Sequence, residues 1–143
     1  AYELRRRGYK VSAQANNGSR EGYKAAMSAF KNRNYVVLSR KASKRGSDVD
    51  EWAKSRLEKV GQRGVITFRW YRLRSGHTIN VERTKKGLLY VDAQTGRKSK
   101  SFRSYLSHVR GISRDGFTFA RTDNQELNVK NLIDSGVIER SKN

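Results

Sequence analysis

The chain is 143 residues long and carries 32 Lys and Arg against 13 Asp and Glu, a formal net charge of +19. It holds no Cys and no Pro, and 35% of its residues are hydrophobic. These figures predict one folded domain over residues 1–143 and exclude, within them, an acidic disordered tail, a disulfide scaffold, a cysteine-rich zinc site and a stretch of the ~18 apolar residues that a membrane span needs.

Residues 1–8 (AYELRRRG) read as the end of a helix. Tyr2 and Leu4 are its apolar positions, the Arg run suits a last turn, and Gly8 suits the position just past it. On this pattern the helix begins ahead of Ala1, so the domain lacks the start of its first helix. Tyr9–Ala15 alternates as a strand does, and Asn16–Gly18 is a turn signal. Residues 20–33 predict a helix around Tyr23, Ala26, Met27 and Phe30. Tyr35–Leu38 fits a short strand, and Ser39–Gly46 a basic loop. A stronger helix starts at Ser47, with Val49, Trp52, Ala53, Leu57 and Val60 at helical spacing, acidic residues in its first turn, and Gly61 as its stop.

From Gly64 the period changes to two. Val65–Arg72 and His77–Glu82 predict strands, Thr84–Gly87 a hairpin turn, Leu88–Val91 the returning strand, and Gln94–Gly96 another turn. A short helix over 101–109, a strand over Gly116–Arg121 and a helix over Val129–Asp134 complete the chain. The fold class is α+β, with N-terminal helices followed by a mostly antiparallel sheet.

The charge is not a detachable tail. Residues 1–100 hold 25 basic and 8 acidic side chains, and residues 101–143 hold 7 and 5. A field of that sign attracts nucleic acid, an anionic surface or an acidic protein. Arg5, Arg6 and Arg7 form one dense point. Arg69, Arg72 and Arg74 flank Phe68, Trp70 and Tyr71, which offers stacking surfaces beside phosphate-neutralising cations; alternate aromatics on a strand serve a core equally well. No acidic cluster with metal-ligand spacing is present, so neither a metal nor a cofactor is expected.

Two histidines occur, and His77 opens a strand after Gly76. With Lys85 and Lys86 at the turn centre, Thr84 faces Gly87, Ile79 faces Asp92 and His77 faces Gln94. Residues 77, 79, 92 and 94 then share one face. A carboxylate beside an imidazole fixes its tautomer and stabilises its protonated form, as general-base chemistry requires. A turn-capping role for Asp92 is the plain alternative.

The segments Ser75–Val81 (SGHTINV) and Gly87–Gly96 (GLLYVDAQTG) resemble the papain-fold toxin domain of bacterial polymorphic toxin systems and phage head-associated proteins. AYELRRRGY resembles that family's first helix, and Trp52–Trp70 and Arg121–Leu132 extend the similarity. The resemblance implies a papain-like fold and a cysteine-type amide hydrolase, either a protease or a glutamine deamidase. His77 would be the base, Asp92 its orienting partner and Gln94 a site-lining or hydrogen-bonding residue. It implies a Cys nucleophile on the first helix, ahead of Ala1, and it puts Ala93 where the family carries Pro. It further implies an acidic immunity protein as partner, and a bacterial toxin delivered to a target-cell cytoplasm or carried with a phage particle. A nucleic-acid-binding or nuclease toxin that uses the +19 surface is the alternative, and an inactive binding module is a weaker one.

Overall fold

The computed structural model describes residues 1–13, 36–37, 46–72, 76–109, 111–113, 117–124, 127, 129–134, 136 and 138–140. In chain order the described elements are α1 (Tyr2–Arg6), β1 (Val11–Ala13), β2 (Val36–Val37), α2 (Ser47–Arg56), β3 (Arg63–Arg69), β4 (Gly76–Thr84), β5 (Gly87–Asp92), β6 (Arg97–Ser99), α3 (Phe102–Leu106), β7 (Thr118–Arg121), α4 (Val129–Asp134) and β8 (Ile138–Arg140). The helix expected over 20–33, the turn at Asn16–Gly18 and nearly all of the loop Ser39–Gly46 lie outside the described residues, as does Arg74.

The residues group into two compact units, Ala1–Arg33 with Asn124–Asn143, and Asn34–Asp123. In the first, β1 pairs antiparallel with β8, with Val11 opposite Arg140 and Ala13 opposite Ile138. Leu4, Leu132 and Ile138 form its buried core, and Leu127, Val129 and Ile133 pack at the margin. α1 stops as its sequence predicts. The Tyr9 N–H donates to the Leu4 carbonyl and the Gly8 N–H to that of Arg5, both at 3.0 Å. This doubled closure needs a left-handed residue after the cap, which Gly8 supplies at φ 92°.

The second unit is built on a six-stranded sheet of order β2-β7-β3-β4-β5-β6. Every strand pairing among the described residues is antiparallel. One face carries Ile66, Phe68, Ile79, Val81, Leu88, Tyr90 and Phe119, covered by Val49, Ala53 and Leu57 of the α2 segment and by Phe102 and Tyr105 of α3. Full burial of such a side chain contributes about 1.5–3 kcal/mol, so this face anchors the unit. The fold is thus α+β with an antiparallel sheet.

The helices are not confined to the N-terminal side of the sheet. α3 and α4 follow its central strands. α3 returns over the same face as α2, because Phe102 and Tyr105 have to be buried there.

α2 also ends earlier than its apolar spacing predicts, at Arg56 rather than beside Gly61. The Gly61 N–H donates to the Arg83 carbonyl at 2.8 Å, and the Arg83 N–H to the Gln62 carbonyl at 2.9 Å. That pairing draws residues 61–62 onto the end of β4. Leu57 stays in the core, while Val60 is left 60% exposed.

Candidate active site

The hairpin β4–β5 sets the site. The Thr84 hydroxyl donates to the Gly87 carbonyl at 2.9 Å and accepts the Lys86 N–H at 3.2 Å, which locks the two-residue turn. Thr84 pairs with Gly87 and the ladder runs to Asn80 opposite Val91, the register that the turn centre predicts. β3 lies on the other side of β4, with Phe68 opposite His77 and Arg69 opposite Gly76. At Gly76 a Cβ would run into the Phe68 carbonyl. Only glycine allows the strands to approach there, and the approach seats the next residue, His77, against the core face.

His77 Nε2 lies 2.9 Å from Asp92 Oδ2. Their side chains are 15% and 5% exposed. The same Oδ2 accepts the buried Tyr105 hydroxyl at 3.0 Å, and Oδ1 accepts the Gln94 backbone N–H at 3.1 Å. Burial by itself would raise the Asp92 pKa; hydrogen bonds and charge from His77, with further donors from Tyr105 and Gln94, outweigh it and hold the carboxyl below its ordinary value. An ionised carboxylate only accepts, so Nε2 carries the proton that lies between them. Nδ1 is left as the basic nitrogen of the neutral ring. The imidazole is framed by Phe68, edge-on at 5.7 Å, and by Trp70, stacked at 5.9 Å with 21° between the planes.

The anion bonded to Tyr105 and the burial of its ring both push its hydroxyl pKa up, burial being the larger cause. The α3 helix that carries Tyr105 is pinned twice. Ser101 caps it, accepting the Ser104 N–H at 3.0 Å. Asp50 of α2 accepts the Phe102 N–H at 2.8 Å and the Tyr90 hydroxyl at 2.6 Å through one oxygen. Among the described residues no buried side-chain nitrogen or oxygen lacks a partner.

His77 and Asp92 therefore meet, and Gln94 joins them through its backbone while its side chain is exposed. Of the cationic candidates described within the second unit, Arg69 and Arg72 are not brought to this pair. Arg5 and Arg6 are exposed on α1, and Arg7 is engaged with Glu3 at 2.9 Å. Arg69 alternates to the sheet face opposite Phe68. Arg72 has φ 59°, and its guanidinium lies 5.1 Å from the centre of the Tyr71 ring, itself 60% exposed. The exposed His108 follows α3 and lies outside the pair's contacts.

Tyr105 and Asp50 are the members that sequence reasoning did not single out. Tyr105 carried only the signal of a core position in a short helix, and Asp50 only that of a first-turn acid. Among the described residues no group of three or more His, Asp or Glu is placed to hold a metal ion, and no helix is long and apolar enough to cross a membrane. No family model, curated protein or solved structure matches this chain.

Proposed function

We propose that the chain carries the His–Asp part of a papain-like cysteine hydrolase acting on amides, of the kind its sequence resembles in bacterial toxin domains. The observation that carries this reading is the contact of His77 Nε2 with Asp92 Oδ2 at 2.9 Å, on a pair that is mostly buried. It leaves Nδ1 as the nitrogen able to exchange a proton with a nucleophile and a leaving group.

On this reading a thiol gives its proton to His77 and attacks the amide carbon. The protonated imidazole then returns that proton to the departing amine or ammonia. Water, deprotonated by His77, cleaves the thioester and restores the thiol. Asp92 stabilises the imidazolium in each half-reaction. None of the 143 residues is Cys, so the reading requires a thiol that these residues do not themselves supply. An acidic inhibitor protein matches the +19 charge, and the site of action is a target-cell cytoplasm or a phage particle.

The test uses the full-length encoded protein. Its expression in a bacterial host arrests growth, with release of ammonia from protein glutamine or cleavage of a peptide bond, and both effects vanish in His77→Ala. Growth arrest that persists in a folded His77→Ala protein rejects the reading.

One observation favours a second reading, a nucleic-acid-binding toxin. Arg72 lies over the exposed Tyr71 ring, a cation beside a stacking surface.

A further inference from the structure

The shared oxygen of Asp92 is the feature that the hydrolase reading does not use. Oδ2 takes two donors, His77 Nε2 at 2.9 Å and the Tyr105 hydroxyl at 3.0 Å, while Oδ1 is held by the Gln94 N–H at 3.1 Å. Tyr105 is 1% exposed, so no water competes for its hydroxyl. Its ring is fixed between Phe68 and Phe102, with centroids 6.1 and 5.6 Å away. Its helix is held by Ser101 and by the Asp50 contact to the Phe102 N–H.

We propose that Tyr105 is a positioning residue for the His77–Asp92 pair, holding the carboxylate in one orientation and taking up part of the charge on the oxygen that His77 uses. The proposal rests on the hydrolase reading for its catalytic meaning, but the coupling among the three side chains stands on geometry alone. A carboxylate that gives part of its charge to a second donor stabilises the imidazolium less. Tyr105 thereby lessens the stabilisation that Asp92, bonded at Nε2, gives the imidazolium, which eases release of the Nδ1 proton during turnover. Loss of the tyrosine hydroxyl removes one anchor of the carboxylate and frees charge on Oδ2, while Gln94 still holds Oδ1.

The charged and titratable groups around the pair are few. Arg97 of β6 lies directly opposite Asp92, and its charge opposes the rise in the Tyr105 pKa. Asp50 of α2 faces the N-terminus of α3, at the Phe102 N–H, and the Tyr90 hydroxyl of β5. Both are unchanged in the variants below.

The experiment is a proton NMR titration of the two imidazoles in the 143-residue chain. His108, exposed and outside the pair, serves as the internal reference. In Tyr105→Phe the His77 midpoint moves up, by less than the roughly one to two units that a hydrogen bond to a charged group is worth, because the lost bond is to Asp92 and only part of its effect reaches His77; the Nε2 proton moves downfield. The His108 midpoint stays fixed. Replacing Tyr105 with 3-fluorotyrosine, a stronger donor of the same shape, moves the His77 midpoint down, and this arm keeps the question open to refutation if Tyr105→Phe does not fold. A tyrosine that only fills space leaves His77 unmoved in both variants, and that result overturns the proposal. The titration needs neither thiol nor substrate, so failure of the hydrolase reading leaves it interpretable. If the protein is active, the acid limb of its pH–rate profile shifts with the His77 midpoint.

Discussion

Gly76 lies against the Phe68 carbonyl so closely that a Cβ has no place between them. Gly76 opens β4 opposite Arg69, and Phe68 pairs with His77, the next residue along. Gly76→Ala must push the strands apart or twist β4. The obstacle is backbone, which does not rotate away as a side chain would. A cost of about 1–3 kcal/mol is expected, read as a lower urea midpoint. The His77 ring resonances shift with it as the stacked Trp70 and the edge-on Phe68 lose their present placement. Unfolding at the wild-type urea concentration would show that the approach is not limiting.

Acid stability follows from Asp92. Its pKa is lowered in the fold, so the folded chain binds fewer protons than the unfolded one between the folded value and the ordinary carboxylate range. The stability it contributes is present above about pH 4 and is lost as pH falls through the folded pKa. Asp123 behaves in the same sense: burial alone would raise its pKa, but the Arg121 guanidinium and the Arg63 N–H hold it down. In Asp92→Asn, unfolding free energy measured from pH 2 to 7 has a shallower acid limb, and Asp92→Asn with Asp123→Asn a shallower one still. An unchanged limb in the double variant counts against both assignments.

Asp50 is the polar tie within the second unit. One of its oxygens accepts the Tyr90 hydroxyl and the Phe102 N–H, joining α2, β5 and α3. Burial, then the bond to Asp50, raises the Tyr90 pKa strongly. Asp50→Ala strands two donors and should cost about 2–4 kcal/mol, whereas Asp50→Asn keeps an acceptor and costs less. Thermal unfolding of both variants checks the order. Equal losses would mean that the contact is space-filling.

How much of this was legible in the sequence depends on the range of the interaction. The two-residue turn at Lys85–Lys86 sets the register of β4 on β5, so the meeting of His77 with Asp92 followed from counting. β6 (RKS) and β8 (IER) carry no apolar alternation and showed no strand signal; they form because neighbouring strands offer their edges. Val60 sits at helical spacing yet lies outside the helix, since the Arg83 backbone competes for residues 61–62. Gln94 was expected as a site-lining or hydrogen-bonding residue; its backbone N–H bonds to Asp92 Oδ1, an Asx-turn contact that the Asp92 turn signal contained. Tyr105 was hidden because apolar spacing places its ring and says nothing of where its hydroxyl points.

Arg72 is the only described non-glycine residue with positive φ, at 59°. Backbone strain of this kind costs on the order of 1–2 kcal/mol, and here it accompanies the placement of a guanidinium over Tyr71. Arg72→Gly should be neutral or stabilising in urea unfolding. If the nucleic-acid reading holds, the same change weakens binding of a single-stranded RNA oligomer and lowers its salt dependence, and Tyr71→Ala costs about 1–3 kcal/mol of affinity. Affinity that is insensitive to salt and to both changes removes that reading.

Asp92→Asn separates the charge of residue 92 from its shape. The amide oxygen can still accept the His77 Nε2 proton, but the negative charge that stabilises the imidazolium is gone, and the amide nitrogen competes for the same orientation. The same Asp-to-Asn change in a serine triad lowers turnover roughly 10⁴-fold, because the amide favours the wrong imidazole tautomer. With a thiol nucleophile, which ionises more readily than a hydroxyl, the expected fall in the full-length protein is smaller, about 10²–10³-fold. The measurement is ammonia or peptide release per folded molecule, with folding verified on the 143-residue variant at pH 7. A variant that folds and turns over at the wild-type rate would leave Asp92 as a structural carboxylate and His77 without the partner its mechanism requires.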